Sequence, residues 1–418
     1  MAGIDLSTAD KILKVLYLGP VRELLNNSTI LLNRIEKDTS TQMTGGKSFT
    51  VPLHVDRNEA AAIGRAENGT LPTAGQQSWN QAIVPNKYLY GQIRLTGPVM
   101  AATKGSQHSF VDALTAEMKG LVKDTRRAVN RQLHSNGIDA LATFVSGAGS
   151  TSVVVDDGQG NAFTHLPGGK ARTVDLLDAS SNYAALNSGI TITRGTLNGT
   201  TAYNATLSSS ANASAADGDV FVPAGTQSGL TGYQMMGIAG IIDNTDPPLL
   251  SGGLHGVTVA AEPDWAAQVI GSDSSLQDIS FPFIQQGLSE LASNSDFTEA
   301  DVAFFLMGFP VRDKYVELCT NERGWYNTMT LDGGFEAVEY NGKGFVPDPQ
   351  CRRNRIYGIV PETIKMYQMN DWDWVDKGGV LVRVSGTTVD AYGATLFKYG
   401  DLGCSQRNGN IVYKGIRE

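Results

Sequence analysis

The clearest alternation of hydrophobic and polar residues in this chain lies at Lys47–Val55. Every second position there is hydrophobic, namely Phe49, Val51, Leu53 and Val55. A period of two predicts a β-strand with one buried face, and the proline at position 52 favours the edge of a sheet. The same pattern predicts a second strand at Tyr88–Thr96, with Leu89, Ile93 and Leu95 on one face.

The segment between these two strands is long and has little periodicity. It runs from Asp56 to Lys87 and is rich in Ala, Gly, Asn, Gln and Pro. Such a long loop is uncommon inside a compact domain, and an isolated hairpin is only marginally stable in water. We therefore interpret residues 46–98 as a two-stranded excursion that a neighbouring subunit stabilises. The residues expected at that contact are Phe49, Val51, Leu53, Leu71, Trp79, Tyr88 and Tyr90.

A long helix is predicted at Gln107–Ser135. Its hydrophobic residues form one stripe at the helical period: Phe110, Leu114, Met118, Leu121, Val122, Val129 and Leu133. The opposite side is basic, with Lys119, Lys123, Arg126, Arg127 and Arg131. These cations form either a solvated helix face or a non-specific contact with a polyanion such as DNA, and the pattern does not decide between the two.

The rest of the chain mixes helices and strands. Short helical pieces are expected within the first 40 residues, and a β-rich module in the Ser-, Thr- and Gly-rich segment 147–230. A helix after Phe281–Pro282, a strand at Val302–Met307 and a helix beginning near Pro310 follow. Four further strands are expected, at Arg355–Val360, Thr363–Met369, Val380–Val384 and Thr395–Tyr399. The pattern as a whole predicts an α+β protein.

Composition supports a globular chain that is not strongly basic. Hydrophobic residues make up 41% of the 418 residues and charged residues 18%, and the formal net charge is −9. A contact with DNA would therefore need a local basic patch. The sequence shows no secretory signal and no apolar run long enough to cross a membrane, so we expect no membrane partner.

The motifs of common reaction chemistry are incomplete in this sequence. Gly46-Lys47-Ser48 resembles the end of a phosphate-binding loop, but Thr41 stands where that motif needs its first glycine. The five histidines lack metal-binding spacing, and the three cysteines (Cys319, Cys351 and Cys404) contain no paired motif. We therefore expect no catalytic residues, no metal and no cofactor, and a protein that is not an enzyme.

Four stretches, in order, resemble the major capsid family of tailed bacteriophages, which has the Hong Kong 97 fold. They are Gly45–Val55 (GGKSFTVPLHV), Arg65–Gln77 (RAENGTLPTAGQQ), Tyr88–Met100 (YLYGQIRLTGPVM) and Glu117–Leu133 (EMKGLVKDTRRAVNRQL). They are similar to the two sides and tip of the family's extended loop and to its spine helix. The resemblance is strong over residues 10–140 and weaker over 232–418, where Gly308-Phe309-Pro310-Val311 and Arg407–Gly415 carry it.

The resemblance implies a division of the chain into an N-terminal arm (1–45), an extended loop (46–98) and a peripheral domain with the spine helix (99–146). A β-rich insertion (147–230), an axial domain (231–345) and returning strands of the axial and peripheral domains (346–418) would follow. Because only about 45 residues precede the loop and the sequence begins with Met1, we expect any scaffolding segment to be separate or absent.

The family also implies partners. The chain would assemble with itself as pentamers and hexamers into an icosahedral shell around double-stranded DNA, with a portal protein and separate scaffold or decoration proteins. The shell would assemble in the host cytoplasm and remain in the virion. The alternative is an encapsulin-like compartment that holds a cargo protein. An enzyme or a carbohydrate-binding β protein is a weaker alternative, suggested only by the Gly/Ser/Thr-rich middle and the tryptophans.

Overall fold

A computed structural model describes residues 29–38, 43–44, 48–58, 60–61, 63–96, 98, 113–157, 166, 169–199, 202–228, 231–248, 250, 252–323, 328–331, 335–375, 382–383 and 391–417. Contacts divide the chain into two compact units. Unit 1 consists of Met1–Asn27, Gly91–Asp124 and Trp374–Thr395. Unit 2 consists of Ser28–Tyr90, Thr125–Asp373 and Leu396–Glu418.

Among the described residues, the helices are few compared with the strands. They are α1 (Ile30–Arg34), α2 (Ala113–Leu133), α3 (Ile238–Ile241), α4 (Phe281–Asn294) and α5 (Phe309–Arg323). The strands before residue 230 are β1 (Glu36–Asp38), β2 (Met43–Thr44), β3 (Ser48–Asp56), β4 (Ser78–Pro85), β5 (Tyr88–Thr96), β6 (Ala142–Ser146), β7 (Ser152–Asp157), β8 (Ala171–Asp178), β9 (Ala184–Asn198), β10 (Ala202–Leu207), β11 (Val220–Pro223) and β12 (Gln227–Ser228). The remaining strands are β13 (Thr231–Gly232), β14 (Gln268–Gly271), β15 (Phe304–Met307), β16 (Thr328–Leu331), β17 (Phe335–Tyr340), β18 (Lys343–Pro347), β19 (Ile356–Ile359), β20 (Ile364–Trp374), β21 (Val382–Arg383), β22 (Ala391–Cys404) and β23 (Ile411–Lys414). The fold is α+β, as expected.

In unit 2, the largest sheet has seven strands in the order β14-β23-β19-β15-β18-β17-β16. Its central strand β15 pairs with β18 in parallel and with β19 in antiparallel orientation. It is buried at every position because Phe304 and Leu306 pack into one hydrophobic cluster and Phe305 and Met307 into another. Helix α4 begins at the Ser280 side chain, which accepts from the amide of Phe283. Its inward residues Ile284, Leu288 and Leu291 are fully buried, which confirms the helix expected after Phe281–Pro282.

Residues 142–223 of unit 2 form a closed six-stranded barrel in the order β10-β7-β6-β11-β8-β9. The barrel has its own hydrophobic core, in which the rings of Phe144 and Phe221 lie 6.4 Å apart. The strands that enter and leave it are neighbours, because β6 pairs with β11 at Thr143 and Val220. The chain therefore enters and leaves the barrel at one place, and the β-rich composition of this segment corresponds to the barrel. That the barrel is an insertion stays a prediction.

Strands β3 and β4 of unit 2 form an antiparallel hairpin whose pairing runs from Ser48–Pro85 to Asp56–Ser78. The expectation that Tyr88–Thr96 is the return strand of this excursion is wrong, since β5 pairs with β22 instead. The sequence pattern missed β4 because only two of its side chains, Ala82 and Val84, are buried, and exposed Trp79 and Ile83 obscure the alternation.

Unit 1 has a small core of its own. Ile93 and Leu95 of β5 and Ala394 of β22 are buried there, with Met118, Leu121 and Trp374 packed against them. This confirms the inward face predicted for β5. The predicted start of the long helix, residues 107–112, lies outside the described residues, and α2 is observed from Ala113 to Leu133.

Because the barrel has its own hydrophobic core, truncating a side chain of that core should destabilise the barrel locally. Phe221→Ala removes a fully buried ring from the barrel, so we expect a loss of about 3–5 kcal/mol in the stability of that module. Hydrogen exchange followed by mass spectrometry should show faster exchange in residues 142–223 and unchanged exchange in β15 and β19. Equal loss of protection in both regions would contradict an independent barrel core.

Candidate assembly surfaces

The outer part of the β3–β4 hairpin is exposed almost throughout. Residues 63–71 and 73–79 are all exposed, and no helix or strand lies within the described residues of 57–77. Leu71 is 83% and Trp79 65% exposed, far more than large apolar side chains need when a fold can bury them. The Trp79 ring lies beside the facing His54, with centroids 4.6 Å apart. Leu71 and Trp79 are therefore the large apolar side chains that this surface offers for a contact.

The inner part of the hairpin packs on its own chain. Phe49 is 1% exposed and lies beside Val84 and Tyr367, with the Phe49 and Tyr367 rings 5.6 Å apart. Val51 and Leu53 are half-buried against the main core of unit 2. Of the predicted contact residues, these three therefore anchor the hairpin to its own subunit. The exposed ones are Leu71, Trp79, Tyr88 and Tyr90.

An aromatic cluster lies next to the hairpin root. Tyr88 and Tyr90 are 54% and 61% exposed, and both rings meet Tyr399 edge-on, at 5.2 and 6.0 Å. Phe397 lies 5.0 Å from Tyr399. Edge-to-face contacts make this cluster a rigid, amphipathic surface of the kind that is common at protein interfaces.

The basic residues of α2 do not share one environment. Lys119 and Lys123 in unit 1 and Arg126 in unit 2 are exposed, whereas Arg127 is half-buried. Arg131 forms a two-pronged ion pair with Asp139, with Nε–Oδ1 at 2.7 Å and Nη2–Oδ2 at 2.8 Å. Burial acts to lower the pKa of Arg131, but the Asp139 carboxylate more than offsets it, so the pKa is raised. Arg131 is therefore a structural residue, and the exposed basic side of the helix consists of Lys119, Lys123 and Arg126.

The segment before the hairpin is held by polar contacts that the sequence pattern did not indicate. The amide of Leu31 donates to Asp348 (3.3 Å), and that of Leu32 donates to Asn130 of α2 (2.9 Å). Further on, β1 pairs in parallel with β20, and Lys37 forms an ion pair with Asp371 at 2.7 Å. Despite partial burial, hydrogen bonds from Lys37 and Lys398 hold the pKa of Asp371 below its usual range.

Metal sites and membrane spans are not found in the part of the chain that the structure describes. No group of three or more His, Cys, Asp or Glu side chains among the described residues is arranged to hold a metal ion. Likewise, no helix within the described ranges is long and apolar enough to cross a membrane. Cys319, Cys351 and Cys404 are buried thiols that form no disulfide.

The fold is similar to that of solved structures. The capsid asymmetric unit of cyanophage A-1(L) superposes with a TM-score of 0.56 and 12% identity, over 98% of this chain and 98% of the other. This chain has the fold of a phage capsid subunit. The Hong Kong 97-like fold expected from the resemblance is thus confirmed, while the roles of the hairpin and α2 within it stay predictions.

Other solved shells overlap less well. The capsid of the Myoviridae phage XM1 gives a TM-score of 0.48 at 9% identity, over 99% of this chain and 100% of the other. The holo-SrpI encapsulin complex of Synechococcus elongatus gives 0.47 at 9% identity, over 100% and 96%. No family model matches this sequence, and no curated protein sequence does.

The Arg131 ion pair can be tested by removing its partner. Asp139→Asn leaves the largely buried guanidinium without a countercharge, so we expect a loss of about 3–5 kcal/mol in unfolding free energy. Arg126→Gln on the same helix is the matched control and should change stability by less than about 0.5 kcal/mol. Urea unfolding measures both, and equal small effects would return Arg131 to the exposed basic surface.

Proposed function

We propose that this chain is the major capsid protein of a tailed phage, which assembles with its own copies into an icosahedral shell around double-stranded DNA. The observation that carries the proposal is the capsid-subunit fold over nearly the full length of the chain. Pentamers and hexamers of this chain would form the shell, with a portal protein and separate scaffold or decoration proteins as partners. Assembly would take place in the host cytoplasm.

The hairpin supplies the physical reason for assembly. Its tip residues, exemplified by Leu71 and Trp79, expose most of their apolar surface to water. Burying a side chain of this size contributes about 1.5–3 kcal/mol. Because every copy carries the same hairpin, this gain is repeated at each contact in a closed shell.

The tip of the hairpin lies far from its own root. Strand β4 has 8 residues, which at about 3.3 Å per residue extends for about 26 Å. The tip therefore reaches beyond the part of the subunit on which Phe49 and Val84 are anchored. This geometry favours a second copy of the chain as the partner of the tip. The hairpin would then have the role of the family's extended loop.

The exposed cations of α2 support a lumenal contact with DNA. The chain carries a formal net charge of −9, so its surface as a whole repels a polyanion. Lys119, Lys123 and Arg126 are exposed on successive turns of one helix, an arrangement that suits phosphate contacts. We assign them to a non-specific contact with packaged DNA, with α2 in the role of the family's spine helix.

The loop assignment predicts the effect of one substitution. Leu71→Asp places a charge at the tip without touching the core, so the subunit should remain folded and soluble while closed particles are lost. The matched control is Leu197→Asp, which changes a 55% exposed leucine of the barrel. Negative-stain electron microscopy and light scattering measure the outcome.

A second variant tests the same role by removing the tip. Residues 57–77 are replaced with Asn-Gly, a two-residue turn that suits an antiparallel hairpin. Normal shells from this variant, or from Leu71→Asp, would contradict the inter-subunit role of the tip. Equal loss of shells with Leu197→Asp would show that charge alone, and not the hairpin, is responsible.

The basic surface predicts a separate effect on DNA. Combining Lys119→Gln, Lys123→Gln and Arg126→Gln should leave shell assembly intact and weaken DNA retention. The slope of log affinity against log salt concentration should become shallower by about 0.9 for each phosphate that is no longer neutralised. The control combines Lys170→Gln, Arg172→Gln and Lys314→Gln, which neutralises three exposed cations elsewhere. The ratio of absorbance at 260 and 280 nm in purified particles measures DNA content across a salt series.

Unchanged DNA retention in the α2 variant would leave those cations as a solvated helix face. Particles of the unmodified chain that contain a protein cargo and no DNA would favour the encapsulin-like alternative.

A further inference from the structure

His255 joins the root of the hairpin to the core of unit 2. Its carbonyl oxygen accepts from the amide of Ile83 in β4 at 2.7 Å. Its Nε2 accepts from the amide of Cys404 in β22 at 3.2 Å. The residue adopts a left-handed conformation (φ 56°) and is 3% exposed. One residue thus connects the backbones of two strands that belong to different sheets.

The bond from the Cys404 amide determines the protonation state of the imidazole. A backbone amide can only donate, so Nε2 must be unprotonated, and the neutral ring then carries its proton on Nδ1. Nδ1 is buried and has no hydrogen-bond partner among the described residues. A buried donor without an acceptor is costly, so Nδ1–H calls for an acceptor in its surroundings.

A small cavity with a few polar groups in a largely apolar lining adjoins this ring. Its volume is about 30 Å³, and its lining includes His255, Asp401, Lys87, Gly232, Gln234 and Met236. Two backbone amides, of Met236 and Leu402, donate to Oδ1 of Asp401, each at 2.8 Å. Because both amides use Oδ1, the oxygen of Asp401 that can accept from a molecule in the cavity is Oδ2. The cavity is large enough for one water molecule and too small for an organic ligand.

We propose that this cavity is a water site, in which one water accepts from Nδ1–H of His255 and forms a hydrogen bond with Oδ2 of Asp401, and that this bridge locks the root of the hairpin onto β22. Lys87 belongs to the same joint, since its Nζ donates to the carbonyl of Gly232 at 2.5 Å. Its own carbonyl accepts from the amide of Gly400 in β22 at 3.0 Å. The lock belongs to the fold of the single subunit and operates whether or not the chain forms shells.

The charged groups around the cavity give the lock an unusual response to acid. Burial, aided by the positive charge of Arg407, lowers the pKa of His255 to about 3. Burial raises the pKa of Asp401 to about 7, against the opposing effects of Lys87 and the two amides. The thiol of Cys404 stays neutral, because burial raises its pKa to about 12. The carboxylate of Asp246 lies 3.8 Å from the guanidinium of Arg407.

The two pKa shifts have opposite effects on how the stability of the lock changes with pH. The depressed pKa of His255 contributes stability that is present above its ordinary value of about 6.5 and is lost as the pH falls toward 3. The raised pKa of Asp401 means that the locked state gains stability as the pH falls through 7 toward its ordinary value of about 4. Between about pH 4.5 and 6.5 the two contributions cancel, so the lock of the unmodified chain should be insensitive to pH.

Single variants should separate the two contributions. His255→Gln keeps an oxygen that can accept from the Cys404 amide but does not titrate, and Asp401→Asn keeps the shape of the carboxyl group. In Asp401→Asn, protection of the Ile83 and Cys404 amides from hydrogen exchange should fall about tenfold per pH unit below 6.5, after correction for intrinsic rates. In His255→Gln, protection should rise as the pH falls from 7 to 5. The unmodified chain and the control His54→Gln, an exposed histidine of the hairpin, should change by less than about threefold.

The protonation state can be read without any change to the lock. In protein labelled with ¹⁵N at its five histidines, His255 is the signal missing from His255→Gln. Its ¹⁵N shifts should report a neutral ring with the proton on Nδ1 from pH 8 to 5. A proton on Nε2, or an imidazolium at pH 5.5, would overturn the proposal. The proposal would also be overturned if amide protection in Asp401→Asn changed with pH in the same way as in the unmodified chain. A map that resolves ordered water but shows none between Nδ1 and Oδ2 would overturn the water bridge itself.

Discussion

The β3–β4 hairpin is buried at one end and exposed at the other, and the proposed assembly of this protein depends on that asymmetry. Near the root, Phe49 and Val84 pack against Tyr367 in the core of unit 2. Toward the tip, Leu71 and Trp79 face water on a segment without a core of its own. Since a two-stranded hairpin is only marginally stable in isolation, we propose that a second copy of the chain covers the exposed end. The root determines where the hairpin begins, and the tip is the proposed contact with another subunit.

The root is fixed by polar contacts as much as by apolar packing. His255 connects β4 to β22, and Lys87, at the corner before β5, connects to β22 and to Gly232. Asp401 of β22 accepts from the amide of Met236. Buried polar groups stabilise a structure only when each donor finds an acceptor, and their geometry then permits few alternatives. A rigid root lets a long, thin hairpin keep one direction, which a subunit that repeats the same contact many times requires.

The sequence predicted the elements whose patterns are local. Strand β5 has strict alternation, α4 has a serine cap followed by proline, and α5 begins near Pro310, and all three were found near their expected positions. Strand β4 was missed because half of its apolar side chains point outward, and β1 because three residues are too few for a pattern. The pairing of β5 with β22 joins residues about 300 positions apart, which no local pattern indicates.

For the candidate surface residues too, the local sequence indicates some features and only tertiary contacts determine the others. Leu71 and Trp79 are exposed because the long polar excursion has little interior to bury them, and Tyr88 and Tyr90 are exposed on the outward face of β5. Their contact with another subunit stays a prediction. Arg131 has the same helical spacing as its exposed neighbours, and only the tertiary approach of Asp139 distinguishes it. The His255 joint had no signal in the sequence, since its hydrogen-bond partners Ile83 and Cys404 lie far from it in the chain.

The most direct measurement is the mass and shape of the particles that the full chain forms when expressed, by light scattering and electron microscopy. We predict closed shells, or rings of five and six subunits, when the chain is expressed alone or with its neighbouring genes. A compact 44.6 kDa monomer that persists at high concentration and with its neighbouring genes present would contradict the capsid function. The exposed end of the hairpin would then have to be stable without a partner.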